Sequence, residues 1–249
     1  MYKRQVFKLA IESTQNKSYE YRLAGLYAIK QDVENMFLSY LNFNAFNPNY
    51  NNQILQLFTD YISDDASTEY NRLLKKIILK KLQASSNIYW NQMLSWLYLQ
   101  EKDYKKALLQ QKAIFRRDRN SLQGIIEVAL LAKGAKSYEV TSDAFTFIIE
   151  QSQEPKLILE ANRQLLVLEV MRFDAPEYKR IASDYKALLE LYGVNDNSIE
   201  LQLSYVEFLA FHYNKKDTAI SFLKQNIKSN MSKFALARLK LKLADILLS

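Results

Sequence analysis

The chain has 249 residues, 49% of them hydrophobic, and a formal net charge of +7. Glycine and proline together number 7, where average usage would give about 30 in a chain of this length. These residues punctuate turns and end helices, so their scarcity excludes barrels, sandwiches and Rossmann-type folds, and the 32 aromatic residues exclude a disordered chain.

What remains is an all-α protein, a near-unbroken series of helices taken here as one domain over 1–249. In chain order, a single helix over 6–13 opens the series. Tyr19 to Tyr50 carries two helical apolar patterns split near Gln31 and Asp32. Asn51 to Gln83 splits near Asp64 and Asp65, and this pair of carboxylates is expected to cap a helix beginning near Ser67. Asn87 to Asp118 forms a further pair, and Ser121 to Gln151 splits between Lys133 and Ser137. Lys156 to Gly193 splits at Asp174 to Pro176, and Asn197 to Ser229 splits near Asn214 and Lys215. A last single helix runs over 231–249. The plan is about six helix pairs with an unpaired helix at each end.

The period of these pairs is near 34 residues, and a fixed period of that size marks a repeat architecture. Leu94 and Tyr98 are four apart and share one face of a first helix. Tyr104 and Ala107, three apart, lie on the second, where the small Ala107 lets the two axes approach. In the earlier unit Leu23, Ala24, Tyr27 and Pro48 fall on the same plan. On these residues the chain resembles the tetratricopeptide repeat family. Ser95 stands where the family has Gly or Ala, Met36 where it has Ala, and Ala113 comes one residue early. The resemblance implies a right-handed α-solenoid whose pairs bury one another's apolar faces. It also implies a protein–protein interaction scaffold that holds a partner segment on its concave face.

The Asn87 to Asp118 unit and LKLADILL near the end also resemble a group of exported bacterial multi-repeat members of that family. The opening MYKRQ resembles a translated sequencing adapter, and the last helix stops inside its own pattern; both point to a gene fragment. The compartment is then periplasmic or exported if a leader precedes the chain, and cytoplasmic otherwise. No run of about 20 apolar residues occurs, so no membrane span is expected.

No catalytic or metal constellation stands out. His212 is the only histidine and no cysteine exists. Catalytic triads need a nucleophile beside a base and an orienting group, and no Gly-x-Ser-x-Gly elbow is present. No paired His, H-E-x-x-H or calcium loop occurs, and the four glycines stand too far apart for a phosphate loop. The expectation is therefore a non-enzymatic protein without cofactor or metal.

Two surfaces are candidates for binding. Tyr21, Tyr89, Gln92, Trp96 and Gln100 occupy the positions at which first helices of such repeats face the groove, and large aromatics anchor interfaces. A protein or peptide is the expected partner. Lys76 and Lys80, four apart, with Arg116 and Arg117, form a basic patch. A helical-repeat module for nucleic acid or another polyanion is the alternative, disfavoured because charge alone says nothing of specificity. The last helix, with an apolar face and no following partner, is a candidate for self-association.

Overall fold

The computed structural model describes residues 2–14, 18–172, 176–227 and 230–249. All regular structure in it is helical. The chain divides into two compact units, Met1–Ser121 and Leu122–Ser249.

The first unit contains α1 (Tyr2–Thr14), α2 (Ser18–Ile29), α3 (Val33–Asn44), α4 (Asn51–Thr59), α5 (Glu69–Ala84), α6 (Ile88–Gln100) and α7 (Tyr104–Asp118), with a 3-10 turn at Pro48–Tyr50. Each helix packs against a sequence neighbour, and α3 also packs against α5. The opening helix, α1, is longer than 6–13 and lies on α2, with Phe7 stacked on Tyr19 at 6.0 Å. The core is aromatic at its centre: Phe37 meets Phe58 edge-to-face at 4.9 Å, and both are fully buried. Leu94, Tyr98 and Ala107 are buried as their spacing predicts. The close approach at Ala107 shows in a hydrogen bond from the Ser95 hydroxyl to the Ala107 carbonyl at 3.3 Å.

The second unit contains α8 (Gln123–Gly134), α9 (Tyr138–Gln151), α10 (Pro155–Arg172), α11 (Tyr178–Tyr192), α12 (Ile199–Glu207), α13 (Lys216–Asn226) and α14 (Lys233–Leu248). The expected break at Asp174 to Pro176 lies partly, and the expected end of a pair at Ser229 wholly, outside the described residues. Ala129, Ala132 and Ala144 are fully buried in α8 and α9, and small side chains of this kind let neighbouring helices sit close. Ile181, Tyr185, Val206, Leu223 and Ile246 fill the core of α11 to α14. α12 runs on as a π-helical turn, Phe208–His212, closed by a bond from Tyr213 N to Phe208 O at 2.9 Å. Such an insertion has no signature in apolar spacing.

A chain with four glycines must turn by other means. At Gln31, Lys102 and Lys136 the backbone is left-handed, with φ of 58°, 56° and 58°. At each, the next residue's N–H reaches back five residues: Asp32 to Tyr27 at 3.0 Å, Asp103 to Tyr98 at 2.8 Å, and Ser137 to Ala132 at 2.8 Å. The left-handed residue itself bonds three back, to Ala28, Leu99 and Lys133. This is the Schellman ending, normally built on glycine; a residue with a Cβ costs roughly 1–2 kcal/mol in that conformation. In two of the three turns the next helix is capped at once, Asp32 accepting from Asn35 N and Asp103 from Lys106 N. Lys102 and Lys136 stand 34 positions apart, and Gln31 precedes Lys102 by 71.

The connection between α4 and α5 differs. The helix starts at Glu69, close to the expected position, but its capping residue is Thr68, which makes no side-chain cap bond, and neither Asp64 nor Asp65 caps it. Asp65 instead accepts from Ser67 N at 2.8 Å, closing a local turn before the helix. Asp64 pairs with Lys102 at 2.7 Å. The loop is held from within by Asn71, which is completely buried. Its Nδ2 donates to Ser63 O at 2.9 Å and to Glu101 Oε1 at 3.2 Å. Its Oδ1 accepts from Ser63 N at 3.1 Å and from the Thr68 hydroxyl at 2.7 Å. That fills the capacity of an amide side chain. Glu101, whose carboxylate is equally buried, is neutralised by Lys75 at 2.7 Å.

Candidate functional site

Helix α6 is capped by Asn87, whose side chain accepts from Tyr89 N at 2.9 Å. One side of it is core, with Met93, Leu94 and Leu97 buried. Gln92, Trp96 and Gln100 follow at i, i+4 and i+8 on the outer side. Gln92 is exposed, and Trp96 and Gln100 are half-buried. The Trp96 ring leans on Phe58 of α4 at 6.2 Å, which fixes its plane while leaving part of it open.

Tyr21 on α2 is half-buried among Phe43 at 5.2 Å, Tyr40 at 5.4 Å and Tyr50 at 6.1 Å. Its hydroxyl accepts from Gln53 Nε2 of α4 at 3.0 Å. α4 thus touches Tyr21 at one end and Trp96 at the other. Tyr89 does not join them at the surface. It is 9% exposed, its hydroxyl accepts from Asn44 Nδ2 at 3.1 Å, and burial pushes its phenol pKa up. Helical spacing puts Tyr89 on the stripe of Trp96. The connection from α3 to α4, pinned by Asn44 donating to Asn51 at 2.8 Å, covers that end of the stripe.

The basic residues separate into two sets. Lys76, Lys80 and Arg116 are exposed. Arg117 is engaged: its guanidinium donates to Asn91 Oδ1 at 3.0 Å and to Ser86 O at 3.3 Å, tying the end of α7 to the start of α6. Neighbouring lysines are used in the same way. Lys75 neutralises Glu101, and Lys81 donates to Asn42 Oδ1 at 2.6 Å with its ammonium 5.9 Å from the Trp90 ring. Half of what reads as a charged run is therefore a set of structural ties.

The second unit holds polar groups that spacing alone does not single out. They run across the first helices of its pairs. Lys133 of α8 donates to Gln164 Oε1 of α10 at 2.7 Å, and Gln164 donates to Glu160 at 2.8 Å. Glu160 takes Arg163 through two bonds, at 2.8 and 2.5 Å, and Arg163 reaches Ser204 of α12 at 2.8 Å. Glu200 and Glu207 of α12 pair with Arg238 and Lys242 of α14. Burial, with Arg163 nearby, pushes the Lys133 amine down, and the Arg238 guanidinium holds the Glu200 carboxyl below its usual range.

A cavity of about 190 Å³ opens beside this ladder, lined by Arg163, Met171, Tyr185, Ser204, Phe208 and His212 among others. Small-molecule sites typically enclose about 300–1,000 Å³, so this one has room for a single side chain. His212, the lone histidine, is exposed at the end of the π turn. The Ser204 hydroxyl beside it is occupied by Arg163. Among the described residues no three His, Cys, Asp or Glu side chains gather as metal ligands. Nor is any helix among them long and apolar enough to cross a membrane. No protein-family model matches the chain, and no curated protein matches it.

Proposed function

We propose that the chain is a tetratricopeptide-like helical-repeat scaffold, a right-handed solenoid that binds a segment of a partner protein through the face of its first helices. Binding rests on shape and hydrogen-bond complementarity, without covalent chemistry. The observation that carries this reading is the row Gln92, Trp96, Gln100. It presents a ring fixed in place by Phe58 between two amides that both donate and accept. Partly exposed aromatics flanked by adaptable polar groups are the composition of protein-binding surfaces. The 34-residue interval between the left-handed turns at Lys102 and Lys136 supports the repeat assignment.

The test is selection of peptides from a displayed library on the immobilised chain. Enriched peptides should bind wild type and lose at least about tenfold in affinity on Trp96→Ala, with the helical circular dichroism retained. Absence of enrichment, or peptides indifferent to Trp96, would refute the reading. The polyanion alternative rests on Lys76, Lys80 and Arg116. It predicts oligonucleotide binding that falls steeply with salt and is insensitive to Trp96.

A further inference from the structure

Helix α14 has two apolar sides. Ala235, Leu239 and Ile246 are buried in the core of the second unit. On the opposite side Phe234, Leu241 and Leu248 are 72%, 74% and 89% exposed, and Ala237 and Ala244 between them are exposed too. The spacing 234, 237, 241, 244, 248 alternates three and four. That is the a/d seam of a coiled coil, narrower than the stripe by which a helix sits on a globular core. Arg238 and Asp245 occupy the flanking e positions, with Lys233, Lys240 and Leu247 at g.

We propose that a second copy of this chain covers the seam, its α14 lying antiparallel to the first about a two-fold axis. In the register that sets Leu241 against Ala244 of the second copy, Ala237 meets Leu248. The two-fold then repeats both layers. Each of these four layers joins one large and one small side chain, so the helices stay at constant separation over 237–248, with Phe234 beyond the last layer. In the same register Arg238, which also holds Glu200 within its own chain, approaches Asp245 of the other copy twice, opposite charges on the same edge. A parallel pair in register would instead stack Leu on Leu and Ala on Ala. Its layers would have unequal thickness, leaving gaps of the kind that cost stability, and Lys233 would fall beside Arg238 while Lys240 falls beside Asp245, so its edge charges cancel where those of the antiparallel pair attract. An antiparallel contact between identical patches closes on itself and stops at the dimer. This surface lies on α14 and is independent of the row on α6, so the proposal stands or falls separately from the scaffold reading.

Sedimentation of the full chain over a concentration series is the experiment. A monomer–dimer equilibrium is expected, and Leu241→Glu should raise its dissociation constant by at least about tenfold. The fold itself should tolerate this change, because Leu241 points to solvent; an unchanged helical spectrum checks that. Asp245→Arg should weaken the dimer in the same direction. The chain has no cysteine, so introduced thiols report the register directly. Chains carrying Ala237→Cys should cross-link with chains carrying Leu248→Cys and not with themselves, since the two Ala237 positions lie about eleven residues, or roughly 16 Å, apart along the axis. A chain that stays monomeric up to about 100 µM, a dimer indifferent to Leu241→Glu, or Ala237→Cys chains that cross-link to themselves would each overturn the proposal.

Discussion

In Met1–Ser121 the first helices of the pairs meet through rings and amides: Tyr21 with Gln53, Phe58 with Trp96. In Leu122–Ser249 they meet through charges, from Lys133 and Glu160 through Arg163 to Arg238 and Lys242. The same alternation of helices is thus stitched in two ways. Ring contacts are short-ranged and insensitive to salt, and they leave part of the Trp96 ring open. Ionic ties hold long side chains in place at small net gain and engage polar groups within the chain. The face with spare recognition chemistry is accordingly the aromatic one.

Both tryptophans, Trp90 and Trp96, belong to the first unit, so their fluorescence reports that unit while circular dichroism reports both. The largest effect is expected from Asn71→Leu. It leaves the Ser63 backbone and Glu101 short of partners inside the first unit and should cost about 3 kcal/mol. Its signature is a tryptophan transition moved to lower denaturant; a shift below about 1 kcal/mol would show that water replaces the amide. Arg163→Ala removes the tie between α10 and α12 and should cost about 1–2 kcal/mol. That loss should appear in circular dichroism with the tryptophan transition in place. A tryptophan shift of equal size would mean that the two units unfold as one.

Lys102→Gly should stabilise the first unit by about 0.5 kcal/mol, because relief of the left-handed strain exceeds the added freedom of the unfolded chain. A destabilised variant would show that the Lys102–Asp64 pair outweighs the strain. The smallest effect is electrostatic. The Glu200 carboxyl is held below the ordinary glutamate range by Arg238. Its contribution is therefore complete above that range and is lost as pH falls through the lower folded value. The loss should amount to a few tenths of a kcal/mol at this partly exposed site. Comparing wild type with Arg238→Ala in acid titration of the second unit should show it, and identical profiles would remove the pair from the account.

Much of the fold is legible because helix pairs are local. Leu94, Tyr98, Tyr104 and Ala107 are close in sequence, and their spacing fixes which side of each helix is buried. The turns at Gln31, Lys102 and Lys136 are readable from the polar residue that follows, which caps the next helix in the first two. What is not legible is whatever distant segments decide. Tyr89 is buried by Asn44, 45 residues before it. Arg117 is held by Asn91, 26 residues away, and Arg163 by Ser204, 41 residues away. A charged residue looks the same in sequence whether it is solvated or tied. Asp64 and Asp65 were legible as a turn, but the start of the helix after them depends on Thr68 and Asn71 meeting across that turn.

Asn71 also has a consequence in time. Its four bonds join the backbone at Ser63, the start of α5 and, through Glu101, the turn between α6 and α7. Loops normally open alone and lose amide protons fastest. Here the exposed residues of 60–68 cannot leave without breaking bonds buried under two other elements. The longest connection of the first unit should therefore exchange its anchored Ser63 amide at the pace of the helices around it. A loop that looks loose on the surface is kinetically part of the core.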